Sequence, residues 1–95
     1  MGRVAVKNVN HAGSVKLVDA HMYEAMKRAY LAVLPASAPG LTIAEIHERL
    51  TSRLPQTLYP GGAKVGWWAK TVQLDLEARG IIKRVRTSPL RVHRA

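Results

Sequence analysis

Cysteine is absent from this chain of 95 residues, and its absence excludes two ways of stabilising a small protein. Without thiols the chain forms neither a disulfide framework nor a thiolate metal site. Packing must therefore hold the fold, and 47% of the residues are hydrophobic. A chain this short has room for one core, since a domain of this size buries only about two thirds of its unfolded surface. We predict a single domain, residues 1–95.

Long apolar runs are also missing, because charged or other polar residues, proline and glycine interrupt the apolar stretches. A helix that spans a bilayer needs roughly 20 apolar residues in succession, so we expect no membrane insertion. At the amino terminus, Arg3 and Lys7 leave no apolar segment as long as a secretory signal requires. The sequence therefore predicts a cytoplasmic location.

Acidic residues are scarce: six Asp and Glu stand against 15 Lys and Arg, which gives a formal net charge of +9. A field of this sign attracts polyanions, so nucleic acid is the first class of partner to consider. The same charge also keeps a small protein soluble without any anionic partner. Charge alone does not decide between these two interpretations.

Motifs for catalysis and metal binding are missing as well. The four histidines include no pair at the i, i+4 spacing that sets two imidazoles on one helix face for zinc. No nucleophile adjoins a histidine in a recognisable motif, and we expect the six carboxylates mainly on solvent faces or in helix caps. Asp75 and Glu77 point to different sides of their predicted helix, so they form no acid–base pair. We expect no enzyme, no metal site and no cofactor.

Apolar periodicity and capping signals predict three helices. The first begins after Asp19, which is suited to accept N-cap hydrogen bonds, and runs to about Leu34. The second begins with a capping box made by Thr42 and Glu45, and ends near residue 53. The third runs from about residue 63 to 79 and stops at Gly80, where a left-handed residue is favoured. Together they predict a helical core over residues 19–80.

Short β-prone segments flank this core. Alternation over Arg3–Lys7 predicts an edge strand, and Val15–Val18 approaches the first helix in extended form after a loop, within an N-terminal segment of residues 1–18. Residues 81–85 and 90–94 predict a C-terminal hairpin over residues 81–95, with Ile82 and Leu90 inward. The basic residues of this hairpin form a positive stripe, although strand edges also use such charges to block aggregation. The expected fold is mainly α with a small β component.

The third helix carries apolar residues on two faces. Val65, Trp68, Val72 and Leu76 share one face, and Trp67, Leu74 and Ala78 lie roughly 150° away, so the helix is expected to be covered from two directions. Trp68 is predicted to be core. For Trp67, packing beneath the connection that contains Leu58 and Tyr59 is favoured over an exposed stacking surface, because large aromatic side chains are mostly buried.

The pair Gly61–Gly62 followed by Lys64 has two interpretations. Free backbone N–H groups at a helix start favour an anion such as phosphate. The alternative is that the glycines only permit a turn and that Lys64 extends into water. We favour the turn, since the spacing of a phosphate-binding loop is not present.

The run Val72–Arg84 resembles the junction of recognition helix and wing in winged-helix proteins, with Leu76, Gly80 and Ile81 at the usual places. Residues 59–71 and 89–91 resemble an uncharacterised family of small bacterial winged-helix proteins of unknown function. This resemblance implies a three-helix winged-helix domain with a C-terminal β-hairpin wing and a short N-terminal strand.

Winged-helix proteins generally bind duplex DNA with the third helix in the major groove and the wing beside it. The resemblance therefore implies a transcription-regulator-like or nucleoid-associated protein. It also implies a set of contact residues, with the first four facing bases or phosphates and the last three flanking the backbone: Lys64, Trp67, Lys70, Thr71, Arg84, Arg86 and Arg91. A rival hypothesis is a protein-interaction module without direct DNA contact, in which Trp67, Tyr59 and neighbouring apolar groups form the surface for a homodimer or for another protein partner. Dimerisation and DNA binding are also compatible in one protein.

Overall fold

A computed structural model describes residues 2–95 of the chain. Three helices are accompanied by two small antiparallel sheets, one at each end of the chain. The elements are β1 (Arg3–Lys7), β2 (Val15–Asp19), α1 (Ala20–Val33), β3 (Leu41–Thr42), α2 (Ile43–Leu50), α3 (Val65–Ala78), β4 (Ile82–Val85) and β5 (Arg91–Arg94). Two short 3₁₀ turns, Thr51–Arg53 and Pro60–Gly62, lie between α2 and α3.

The N-terminal segment forms a hairpin, and the prediction of a single strand followed by a loop is wrong on this point. β1 pairs antiparallel with β2 in a register that sets Val6 opposite Lys16 and Val4 opposite Val18. Val6 and Val18 are buried, so one face of the hairpin packs on the helical core. Burial of these two valines explains why the segment at residues 15–19 pairs with β1 and does not only lead into α1.

The starts of α1 and α2 confirm the capping predictions. The side chain of Asp19 accepts a hydrogen bond of 3.0 Å from the backbone N–H of Met22. In α2 the backbone N–H of Glu45 donates to Oγ1 of Thr42, and the backbone N–H of Thr42 donates to a carboxylate oxygen of Glu45. These bonds satisfy N–H groups that have no partner inside a helix, and they fix where each helix begins.

The third helix begins two residues later than predicted, at Val65. Gly61, Gly62 and Lys64 all have positive φ angles. Lys64 is the last residue before the helix and lies in the left-handed region, at φ 62°. Gly80 ends the segment at φ 74°, as predicted.

The C-terminal hairpin is confirmed and gains a third strand. β4 pairs with β5, and β5 also pairs with β3, which places Leu41 opposite Val92. Ile82 is buried as predicted, whereas Leu90 is only half-buried. The helix α2 therefore begins directly from the edge of this three-stranded sheet.

One cluster of buried side chains connects all three helices with both sheets. Its largest fully buried apolar members are Tyr30, Met26, Ile46, Leu50, Leu76 and Tyr59. Tyr23 and Tyr30 lie in this core, and Trp68 is buried as predicted. Within residues 2–95 no helix is long and apolar enough to cross a membrane.

Candidate nucleic-acid interface

A buried carboxylate fixes the N-terminal hairpin against α3. Asp75 is fully buried, and Oδ1 accepts hydrogen bonds of 2.8 Å from the backbone N–H of Lys7 and from Nε of Arg79. Oδ2 accepts a hydrogen bond from the hydroxyl of Tyr23, and Nη2 of Arg79 donates to the backbone carbonyl of Ala5. The expectation that this carboxylate lies on a solvent face is wrong, because the hairpin covers that side of α3.

The hairpin and α3 enclose an open cleft with a volume of about 170 Å³. Three lysines line it: Lys7 and Lys16 from the hairpin, and Lys70 from α3. The hydroxyl-bearing Thr71 and the ring of Trp67 complete the wall on the side of α3. No Asp or Glu is among its lining residues within the part of the chain that the structure describes. The cleft is therefore a positively charged concave surface with an aromatic ring at its edge.

Trp67 is the exposed member of the tryptophan pair. Its side chain is 49% exposed, whereas Trp68 is 7% exposed and belongs to the core. The two rings meet edge to face, with centroids 5.0 Å apart and planes at 83°. The ammonium of Lys16 lies 4.9 Å from the centre of the Trp67 ring, a cation–π contact. The favoured interpretation, that Trp67 is covered by the connection before α3, is wrong.

The predicted contacts on α3 lie together. Trp67, Lys70 and Thr71 line the cleft, with Lys70 exposed and Thr71 half-buried. Lys64 is exposed directly before the helix and is not among the residues that line the cleft. Lys7 and Lys16 were missed from the sequence, although two β-prone runs separated by a turn with Gly13 already indicated a hairpin.

The loop before α3 supports the turn interpretation of the glycine pair. The backbone N–H of Gly61 donates to the side chain of Gln56 over 3.0 Å. The backbone N–H groups of Gly62 and Ala63 donate to the carbonyls of Tyr59 and Pro60. Because these N–H groups already have partners, they are not offered to a phosphate.

The arginines of the C-terminal hairpin differ in whether they form hydrogen bonds and ion pairs within the protein. Arg84 donates to both carboxylate oxygens of Glu77, whose side chain is 3% exposed, and this bond raises the pKa of Arg84 above its usual value. Arg91 donates to the carbonyl of Gly40 over 3.1 Å and lies 3.7 Å from Glu45. Both arginines therefore hold the fold together, whatever else they contact.

Arg86 has a different setting. It is exposed and lines a shallow depression with Lys83, next to Gly80 and the loop that follows β1. The predicted contact residues thus fall into two groups: one around the cleft and one, represented by Arg86, at the C-terminal hairpin. The loop of the N-terminal hairpin lies between them, because Asn8 lines the cleft and Val9 lines the depression.

Comparison with known proteins assigns a family and no activity. No curated protein and no solved structure matches this chain. The sequence profile of one family, described as a family of unknown function, matches residues 3–92. The match covers nearly the whole chain, from β1 to the middle of β5. The chain therefore belongs to the family of unknown function DUF6958.

Proposed function

We propose that this protein is a winged-helix domain that binds nucleic acid, in the first place DNA, mainly through contacts to phosphates. The fold supports the winged-helix part, since three helices precede a hairpin whose strands form a small sheet with β3, the strand before α2. In this comparison α3 corresponds to the recognition helix and the β4–β5 hairpin to the wing.

The distribution of charge is the observation that carries the proposal. Within residues 2–95, three carboxylates are held by arginines in ion pairs: Asp75 by Arg79, Glu77 by Arg84 and Glu45 by Arg91. These pairs lower the negative potential at the surface that α3 shares with the two hairpins. The positive charge of that surface comes from residues outside these ion pairs: Lys7, Lys16, Lys64, Lys70, Lys83 and Arg86. Such a surface matches the charge of a phosphate backbone.

Binding dominated by phosphates has a measurable signature. If about six phosphates are neutralised, the logarithm of the binding constant falls with the logarithm of salt concentration with a slope near −5 on a duplex. We would follow the fluorescence anisotropy of a labelled duplex and of a labelled single strand, both of random sequence, across a salt series. An unrelated protein of similar net charge is the control. If neither probe binds this protein more tightly than it binds the control protein, the proposal is overturned.

Charge reversal tests where the nucleic acid lies. Lys70→Glu is expected to weaken binding strongly, because Lys70 is exposed and lines the positively charged cleft. Arg28→Glu makes the same change in charge on α1, beside Arg53, and serves as the matched control. Equal losses in the two variants would show that only net charge matters and that no surface is preferred.

A second candidate function is self-association through the N-terminal hairpin. Val15 and Leu17, on the outer face of β2, are 61% and 59% exposed and lie next to each other on that face, so they form a small apolar patch. Tyr59, which we expected on such a surface, is buried, and its hydroxyl donates to the carbonyl of Met22 over 2.8 Å. Sedimentation at increasing concentration tests this candidate, because Leu17→Glu is expected to dissolve any dimer formed through β2.

A further inference from the structure

We propose that the cleft between the N-terminal hairpin and α3 binds an unpaired nucleotide of a single-stranded nucleic acid, with the base stacked on Trp67 and its phosphate between Lys16 and Lys70. The inference rests on the proposed function and names the form of nucleic acid that this surface takes.

The setting of Trp67 is the first reason. Half of its side chain is exposed, and a lysine ammonium lies against the ring. In a duplex each base is covered on both faces by its neighbours, so an aromatic ring of a protein stacks on a base without the cost of unstacking only where the base is unpaired. The Lys16 ammonium covers one face of the ring, and a phosphate bound to Lys16 would draw the ammonium away from that face and leave the face to the base of the same nucleotide.

The position of the N-terminal hairpin is the second reason. Successive residues of a helix are about 100° apart, so Trp67, Thr71, Leu74 and Ala78 share one side of α3. The hairpin lies along this side, because residues of β1 and its loop line clefts together with Thr71, Leu74 and Ala78. The opposite side of α3 is in the core. The strip left for contact with a duplex is therefore narrow.

The width of the major groove limits how this strip of α3 can contact a duplex. The major groove of B-DNA is about 12 Å wide, and a single helix with its side chains is about 10 to 12 Å across, so one helix fills it. A helix with a β-hairpin packed along one side is wider than the groove. A single strand has no such limit, since it follows an open cleft.

The size and chemistry of the cleft are the third reason. A volume of about 170 Å³ is below the range of about 300 to 1,000 Å³ that is usual for cofactor and small-molecule sites. The cleft is suited to a small part of a long ligand that continues over the surface on either side. The ammonium groups donate to phosphate oxygens, and the hydroxyls of Ser14 and Thr71 add neutral donors. Contacts to a ring face and to phosphates distinguish poorly between bases, so little sequence preference is expected.

The test compares single strands with a duplex of the same length. Oligothymidine and oligouridine of about 12 nucleotides, within the usual range of site sizes, and a matched duplex are titrated with the full chain. We expect at least one of the two single strands to bind more tightly than the duplex. We also expect binding to quench the fluorescence of Trp67, a change that Trp67→Phe removes because Trp68 is buried. A difference between the two single strands reflects the sugar together with the 5-methyl group of thymine, and tighter binding of either strand than of the duplex supports the inference.

Three variants separate stacking from general charge. Trp67→Ala is expected to lower affinity for the single strand by about 5- to 150-fold and to leave duplex affinity unchanged, while Trp67→Phe keeps part of the stacking. His21→Ala, which removes an exposed ring on α1 that does not line the cleft, is the matched control and is expected to have no effect. Lys16→Gln combined with Lys70→Gln is expected to reduce the magnitude of the salt slope on the single strand by about 1.4. Arg28→Gln with Arg53→Gln removes the same charge elsewhere.

Two results overturn the inference while the proposed function stands: a duplex that binds as tightly as the single strands, or a Trp67→Ala protein that binds single strands as well as the His21→Ala protein does. If neither single strand nor duplex binds above a similarly basic control protein, the proposed function fails as well.

Discussion

The backbone N–H of Lys7 donates a hydrogen bond of 2.8 Å to Oδ1 of Asp75, a residue 68 positions further along the chain. The bond joins the first strand to the third helix and places Lys7 at the edge of the cleft. The same carboxylate accepts hydrogen bonds from Tyr23 and Arg79. Because Asp75 is fully buried, the candidate site and the stability of the fold depend on one side chain.

Asp75→Ala is therefore expected to lower the free energy of unfolding by about 3 kcal/mol, since it leaves buried donors without an acceptor and an arginine without its partner. Urea denaturation measures the loss, and hydrogen exchange of the Lys7 amide is expected to become faster. Glu48→Ala, at an exposed carboxylate of α2, is the control and should change stability by less than about 0.5 kcal/mol. Equal losses in the two proteins would refute the role given to Asp75.

Three buried tyrosines make the fold sensitive to alkali. Burial raises the pKa of Tyr23, Tyr30 and Tyr59 above the usual value near 10, and for Tyr23 the hydrogen bond to Asp75 adds to the rise. A raised pKa in the folded state means that the folded chain keeps a proton that the unfolded chain loses. The resulting stability is complete below pH 10 and is lost as the pH rises towards the folded-state pKa values.

We therefore expect the free energy of unfolding to fall above pH 10, by about 1.4 kcal/mol per pH unit for each such tyrosine. Circular dichroism and the absorbance of tyrosinate, followed over the same pH range, are expected to change together. Tyr30→Phe is the informative variant, because the Tyr30 hydroxyl makes only a long hydrogen bond of 3.4 Å to Gln73. This variant should make the fall of the unfolding free energy with pH less steep by the contribution of one tyrosine. An unchanged slope would contradict the raised pKa of Tyr30.

The adjacent tryptophans are expected to respond very differently to truncation. Trp68→Ala removes a buried ring and should cost about 3 to 5 kcal/mol of stability. Trp67→Ala removes a ring that is half exposed, so we expect a loss of about 1 kcal/mol. Thermal melting of the two proteins gives the comparison. A loss at Trp67 as large as that at Trp68 would show that Trp67 is a packing residue after all.

Arg84 and Arg86 lie two residues apart and are expected to tolerate charge reversal unequally. Arg84→Glu places a carboxylate beside the nearly buried Glu77 and should lower the free energy of unfolding by about 3 kcal/mol. Arg86→Glu alters an exposed side chain, and we expect less than about 0.5 kcal/mol. Urea denaturation of both variants decides the matter. Equal stabilities would show that the bond between Arg84 and Glu77 contributes nothing.

Elements fixed by contacts between residues close in sequence were predicted, and elements that depend on distant residues were not. The caps of α1 and α2 are confirmed because Asp19, Thr42 and Glu45 bond to backbone groups only three residues away. β3 was missed because two residues carry no periodicity, and its partner in β5 lies about fifty positions further on.

The same distinction applies to the candidate site. Lys70 and Thr71 were predicted from the helix that bears them, whereas Lys16 reaches the cleft only because β2 pairs with β1 and the hairpin packs on α3. The burial of Asp75 has the same cause, since the hairpin supplies the cover and one of the donors. A carboxylate on a helix gives no sign in the sequence that a distant strand will cover it.

Gly40 gives the sharpest test of how the C-terminal sheet is joined to the helices. Gly40 and Gly13 both lie in the left-handed region, at φ 82° and 85°, so an alanine is strained by about 1 to 2 kcal/mol at either position. A Cβ atom at Gly40 would also clash with the backbone of Val92 in β5, 2.7 Å from its carbonyl carbon, whereas at Gly13 it would meet nothing within 4 Å. Gly40→Ala is therefore expected to lower the free energy of unfolding by about 3 kcal/mol, and Gly13→Ala by about 1 kcal/mol. Because both variants carry the same backbone strain, the difference between their unfolding free energies in urea measures the cost of the close approach of Gly40 to β5. Equal unfolding free energies would mean that β5 moves away at little cost.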